Sequence, residues 1–189
     1  MRVTDVISPL RPETVARDQT SRGAFMPMPF AVVVLQHHSV RLFGVRIHTT
    51  LHNAPQECPR LWNEVFTPRM PELSGKPSNT YQGPSYGLSL FTDHAGLAFD
   101  YWAAMEAPEL AAPPAGMDAV TLPGGLYACC RIPAAGMLQE AYDYMYDEWP
   151  QTPGGYTVLA DKPCFERYDS RFFQSGTHDV YVPVLPRED

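Results

Sequence analysis

A chain of 189 residues suits one domain with a real core, and its net charge of −7 with a pI near 5.3 argues against DNA or an anionic membrane surface as the main partner. Lysine is confined to Lys76 and Lys162, and the longest apolar run, Phe30 to Leu35, is the length of a strand rather than a membrane span. Met1 to Gly23 is polar, charged and broken by Pro9 and Pro12, which reads as a flexible arm over residues 1–24 without a secretory signal, and so as a cytoplasmic protein.

From residue 25 to 189 a single domain is expected, in which one pattern occurs twice. In the first copy, about residues 30–108, Phe30 to Leu35 and Val40 to His48 read as strands. Pro59 to Phe66 follows as a short helix with proline in its first turn and Leu61, Trp62, Val65 and Phe66 on one side. Pro68 is expected to stop it. After a proline- and glycine-rich stretch, Tyr86 to Phe91 and Leu97 to Trp102 form a hairpin around the turn residues Asp93 to Gly96.

Pro108 to Gly116 has the composition of a connector. The second copy, about 117–186, starts with a strand from Leu126 to Ile132. Leu138 to Trp149 is the clearest helix, with Leu138, Ala141, Tyr142, Met145 and Trp149 on one stripe and Pro150 at its end. A strand over Pro163 to Tyr168, turn residues Asp169 to Gly176 and a strand over His178 to Val184 complete it. Two β-α-β-β units predict an α+β fold with pseudo-two-fold symmetry, helices on one side of the sheet and a ligand cleft on the other.

Within this frame Glu166 stands out. Alternation along Cys164-Phe165-Glu166-Arg167-Tyr168 puts Cys164, Glu166 and Tyr168 on one face. Burying a carboxylate among aromatic residues is costly unless something pairs with it. One source of pairing is internal, a tyrosine hydroxyl or an arginine such as Arg131; the other is a cation from outside. Tyr127, Tyr86, Tyr101, Trp102 and Trp149 are further candidate pocket walls. Tyr101 and Trp102 must face opposite ways, and Trp102 shares its face with Asp100 in a second acid–aromatic pair.

The four cysteines contain no CxxC pair and read as buried free thiols; Cys164 has no histidine near it in sequence to activate it. The histidines contain no HExxH, so no metal is expected. Gly124-Gly125 and Gly154-Gly155 lack the context of a phosphate loop, and no cofactor is expected.

The second half, with Glu148-Trp149 at the end of its helix, Phe165-Glu166-Arg167-Tyr168 and the terminal Asp179-Val180-Tyr181-Val182-Pro183-Val184, resembles the GyrI-like, or effector-binding, domain family. The first half is similar more loosely, through Gly44 and Phe99-Asp100-Tyr101, and the resemblance covers about residues 27–185. It implies two β-α-β-β units around a pocket in which Glu166 corresponds to the acid that faces cationic aromatic ligands. Two features depart from that pattern. No helix-turn-helix is evident, so direct nucleic-acid binding is not expected, and residues 67–82 form a long insert placed to cover or reshape the cleft.

The leading expectation is therefore a stand-alone binding domain for lipophilic, cationic small molecules, for sensing or sequestration. A hydrolase of cyclopropanoid natural products, with Glu166 catalytic, is the alternative that the resemblance implies. A protein-interaction module that modulates gyrase or a regulator is the third.

Overall fold

The computed structural model describes residues 30–92, 98–107, 110, 112–152 and 155–187. The expected arm 1–24, the turn residues Asp93 to Gly96 and parts of the connector and of the terminal segment lie outside them. The chain runs β1 (Val32–His37), β2 (Val40–Thr50), α1 (Ala54–Arg60), α2 (Met70–Ser74), β3 (Ser85–Phe91), β4 (Ala98–Glu106), β5 (Asp118–Leu122), β6 (Gly125–Ile132), α3 (Leu138–Asp143), β7 (Tyr156–Val158), β8 (Cys164–Tyr168), α4 (Ser170–Ser175) and β9 (His178–Pro186). The strands β5 and β7 and the helix α4 were not expected from the sequence pattern.

The two long helical segments are irregular. After α1 the chain widens into a π-helical turn, Leu61–Phe66, tightens into a 3₁₀ turn, Thr67–Arg69, and resumes as α2. Pro68 does not stop it. It falls in the first turn of the 3₁₀ segment, and Pro71 falls in the first turn of α2, where a missing N–H breaks no intrahelical bond. Gly75, at φ 66°, ends the segment with its N–H on the Pro71 carbonyl, 2.9 Å away. The second segment likewise runs from α3 through a π turn, Tyr144–Glu148, to a 3₁₀ turn, Trp149–Gln151, and ends near Pro150 as expected.

Every strand pair is antiparallel, in the order β1-β6-β9-β8-β3-β4-β2-β5, with β7 on β9. One repeat contributes β2, β4 and β3, the other β6, β9 and β8, and the repeats join where β3 meets β8. There Gly87 pairs with Glu166.

The first strands are exchanged. β1 precedes β2 but pairs with β6, and β5 precedes β6 but pairs with β2. In a flat sheet β1 and β2 would lie about 29 Å apart at about 4.8 Å per strand. Two connecting residues reach only about 10 Å, so the sheet must curl. The two short connections touch: Ser39 Oγ donates to the Leu122 carbonyl at 3.2 Å, and a side chain on Gly124 would come 2.8 Å from the Ser39 nitrogen.

The sheet separates two apolar clusters. Phe43, Tyr101, Ala128, Cys130, Val180 and Val182 pack against the helices, together with Trp62, Phe66, Leu138 and Tyr142. On the other face Leu42, Tyr86, Leu88, Trp102, Tyr127, Phe165 and Tyr181 form a second cluster with contributions from both ends of the curled sheet. That face, where the repeat pattern placed a cleft, is filled by large side chains because the curl turns it inward. Glu166 and the cavity described next are on the helical face.

Candidate functional site

Alternation in β8 sends Cys164, Glu166 and Tyr168 toward the helices and Phe165 the other way. The Glu166 side chain is 2% exposed. Tyr142 of α3 donates to its Oε1 at 2.5 Å, and Tyr101 of β4 donates to Oε2 at 3.2 Å. Trp62 in turn donates its Nε1–H to Tyr101 Oη at 2.9 Å. Each repeat thus supplies an aromatic donor to a carboxylate standing at the pseudo-dyad. Among the described residues no lysine, arginine or histidine pairs with it.

Burial raises the Glu166 pKa to about 7, against the two tyrosine hydrogen bonds, which favour the anion. Burial, and then the neighbouring carboxylate, push both tyrosine hydroxyls well above their usual range, so they remain protonated donors. Cys164 is pushed up to about 12 by burial and by Glu166, which leaves it an unreactive thiol. Space for the carboxylate comes from the opposite strand: a Cβ on Gly87 would overlap both Glu166 Oε2 and Tyr101 Oη.

Beside this network lies a cavity of about 490 Å³. Trp62 and Tyr168 form one wall and separate it from Glu166, which does not line it. Phe172 and Phe173 of α4 form the second wall, and Met70 with residues 78–82 closes the third. The 67–82 insert is therefore a wall of the cavity. Its loop is held by its own bonds, the Gln82 amide donating to the Pro77 and Thr80 carbonyls at 2.7 Å and accepting from Ser74 Oγ. Tyr81 and Phe173, both exposed, meet edge to face with centroids 5.9 Å apart.

Tyr168 is 3% exposed, edge-on to Trp62 and Phe172 and stacked on His178 at 5.1 Å. Its buried hydroxyl lies near Tyr101 and Glu166 but has no partner at full hydrogen-bond geometry. His178 Nδ1 faces the Gly176 carbonyl at 3.0 Å, so it carries the proton, and its buried Nε2 is an acceptor without a donor. Burial lowers the His178 pKa, which keeps the ring neutral.

Of the residues singled out from sequence, the structure brings together Glu166, Tyr168 and Tyr101. Tyr86, Tyr127 and Trp102 lie on the opposite face of the sheet. There Tyr86 donates to Glu106, and Tyr127 donates to the Pro123 carbonyl at 3.0 Å. The acid beside Trp102 already has an internal cation, for Asp100 pairs with Arg46 at 3.2 Å, and it also faces His48 Nδ1 at 2.8 Å. Trp149, at the end of its helical segment, stacks on Tyr156 with centroids 6.0 Å apart. Sequence reasoning assigned Tyr142 and Trp62 to helix stripes facing the core. It missed that their polar atoms complete the Glu166 network, and a polar tip on a stripe facing a strand carboxylate is the signal available for that.

The fold is thus two β-α-β-β units that meet at a buried acid. The family described as GyrI-like small molecule binding domain matches residues 34–185, and the chain belongs to it. Solved structures share the fold. An integron cassette protein from the mobile metagenome of Vibrio cholerae is 17% identical, with 82% of this chain and 97% of that one covered and a TM-score of 0.54. SAV2435, solved bound to tetraphenylphosphonium, is 18% identical over 82% of this chain and 94% of that one, with a TM-score of 0.60. The C-terminal domain of EcmrR is 11% identical over 84% and 99%, also with a TM-score of 0.60. No curated protein matches the chain significantly. Among the described residues no helix is long and apolar enough to cross a membrane, and no group of side chains is arranged to hold a metal ion.

Proposed function

We propose that this domain binds lipophilic, cationic aromatic compounds at Glu166, for sensing or sequestration in the cytoplasm. The observation that carries the reading is a carboxylate buried where the repeats meet, among Trp62, Tyr101, Tyr142 and Tyr168, with no cation paired to it among the described residues. The tetraphenylphosphonium bound by SAV2435 is a ligand of that chemistry. A ligand entering from the cavity displaces the Trp62–Tyr168 wall to reach the acid. At about 4 Å a cation and the carboxylate attract by about 4 kcal/mol at an effective dielectric of 20. Desolvation removes part of this, and each aromatic face returns about 0.5–2 kcal/mol. Micromolar affinity needs about 8 kcal/mol, so apolar contact supplies the remainder. The four buried free cysteines fit a reducing compartment.

Tryptophan fluorescence titration with tetraphenylphosphonium tests the reading. Binding is expected in the micromolar range, tightening as pH rises through about 7 because only the ionised acid attracts the cation. Glu166→Gln should weaken it at least about tenfold. An unchanged affinity in that variant would sink the proposal.

The raised Glu166 pKa favours a second reading, since an acid poised near neutrality suits general-base catalysis. Hydrolysis of a cyclopropanoid compound would then appear by mass spectrometry as a ring-opened product one water heavier, absent with Glu166→Gln. Unchanged compound over many equivalents of enzyme rejects it.

A further inference from the structure

The pairings β1–β6 and β2–β5 keep a single register: His37 sits on Gly125 and, three residues along, Val40 sits on Leu122. The two pairs are therefore the arms of one bent antiparallel ribbon, 32–44 against 118–130. On one arm β6 continues the sheet to β9 and leaves β1 at the edge; on the other β2 continues it to β4 and leaves β5 at the edge. Among the described residues neither edge has a strand beyond it, and the two lie on opposite sides of the ribbon, so one does not cover the other. Sheet edges invite another strand unless charge, proline, a bulge or shortness blunts them. β5 has five residues, opens on the exposed Asp118 and carries the exposed Thr121. β1 has none of these guards: Val32 to Gln36 includes no charge, proline or glycine, and its ladder to β6 has no bulge. From Gly23 to Val40 the sequence holds no Asp, Glu, Lys or Arg. Val33 is 59% exposed, while Val32 and Val34 on either side of it pack against the helical cluster.

We infer that the free edge of β1 is the contact surface for a second copy of this chain, which adds its own β1 antiparallel and joins the two sheets across a two-fold axis. The row of backbone N–H and C=O groups along the edge fits an extended strand. Charge selects the chain itself as the source of that strand. Each copy carries a net charge of −7, so two copies repel on average, and β1 brings them together through an uncharged segment. A β5–β5 contact would bring two Asp118 carboxylates into one short ladder. A β1–β5 contact would leave a free edge at each end and grow into filaments, whereas β1–β1 closes as a dimer. Centred on Val33, the pairing sets that residue against its own copy and Val32 against Val34, so the exposed apolar surface of one copy covers that of the other.

Sedimentation velocity of the full chain tests the inference. Wild type at about 50 μM should sediment as a dimer, at twice the 21.1 kDa of the chain, and dissociate on dilution. Val33→Lys and Val33→Glu change an exposed position, so both should keep the fold, checked by circular dichroism. Each alone should be monomeric, because like charges then face each other across the two-fold axis. Mixing the two variants in equal amounts should restore a dimer, since the opposite charges now meet, and damage to either fold would not be repaired in this way. A wild type that is monomeric at that concentration, a Val33→Lys variant that still dimerises, or a mixture that stays monomeric overturns the inference.

Discussion

Gly87 stands directly opposite Glu166 across the central strand pair, and the absence of its side chain creates the space that the carboxylate and the Tyr101 hydroxyl occupy. The pair sits where the two repeats meet, so a glycine on one repeat's strand faces an acid on the other's. Two carboxylates there would repel in a buried site, and two glycines would leave a void. The asymmetry between the repeats is therefore what makes one acid possible.

Gly87→Ala is expected to destabilise the domain by about 1–3 kcal/mol, because the added methyl overlaps Glu166 and Tyr101 in a packed interior. For a chain of this size that lowers the melting temperature by roughly 2–4 °C per kcal/mol. The loss should shrink in the Gly87→Ala, Glu166→Ala double variant, since the two sites share one space. Additive effects in the double-mutant cycle would show that the two positions do not compete.

Glu166 sets a pH dependence of stability whose sign follows from its raised pKa. Between about 4.5 and 7 the folded protein holds a proton that the unfolded chain has released, so stability falls as pH rises through that window. The full difference is about 3 kcal/mol. Glu166→Gln should flatten that segment of the urea-denaturation profile measured from pH 4.5 to 8 and leave the variant the more stable protein above pH 7. A profile parallel to wild type would assign the slope to other groups.

Tyr168→Phe should leave the ligand-free domain as stable as wild type or more stable by about 1 kcal/mol, because it deletes a buried hydroxyl that has no partner at full hydrogen-bond geometry. Thermal melts of the two proteins decide this. A clear loss of stability would mean that the hydroxyl is bonded in solution.

The strand alternation of β8, the helix stripe ending at Trp149 and the two β-α-β-β units were all legible in the order of residues, because apolar periodicity and turn residues act over a few positions. Pro68 was misleading for a related reason. Proline in a helix costs a backbone bond and a ring contact but does not always end it: Pro59 lies inside α1, and Pro68 falls where a new 3₁₀ turn starting at Thr67 leaves its missing N–H without consequence.

That Glu166 shares a face with Cys164 and Tyr168, and that Tyr101 and Trp102 point opposite ways, was determined by the sequence itself through the two-residue period of a strand. Which of those faces meets the helices was decided only by the tertiary structure. The exchange of β1 and β5 between repeats curls the sheet, fills one face with Tyr86, Trp102 and Tyr127, and leaves the helical face to bring Trp62 and Tyr142 onto the acid. Periodicity labels the faces of a strand as different. Only long-range pairing, over separations such as the 65 residues between Tyr101 and Glu166, says what each face will touch.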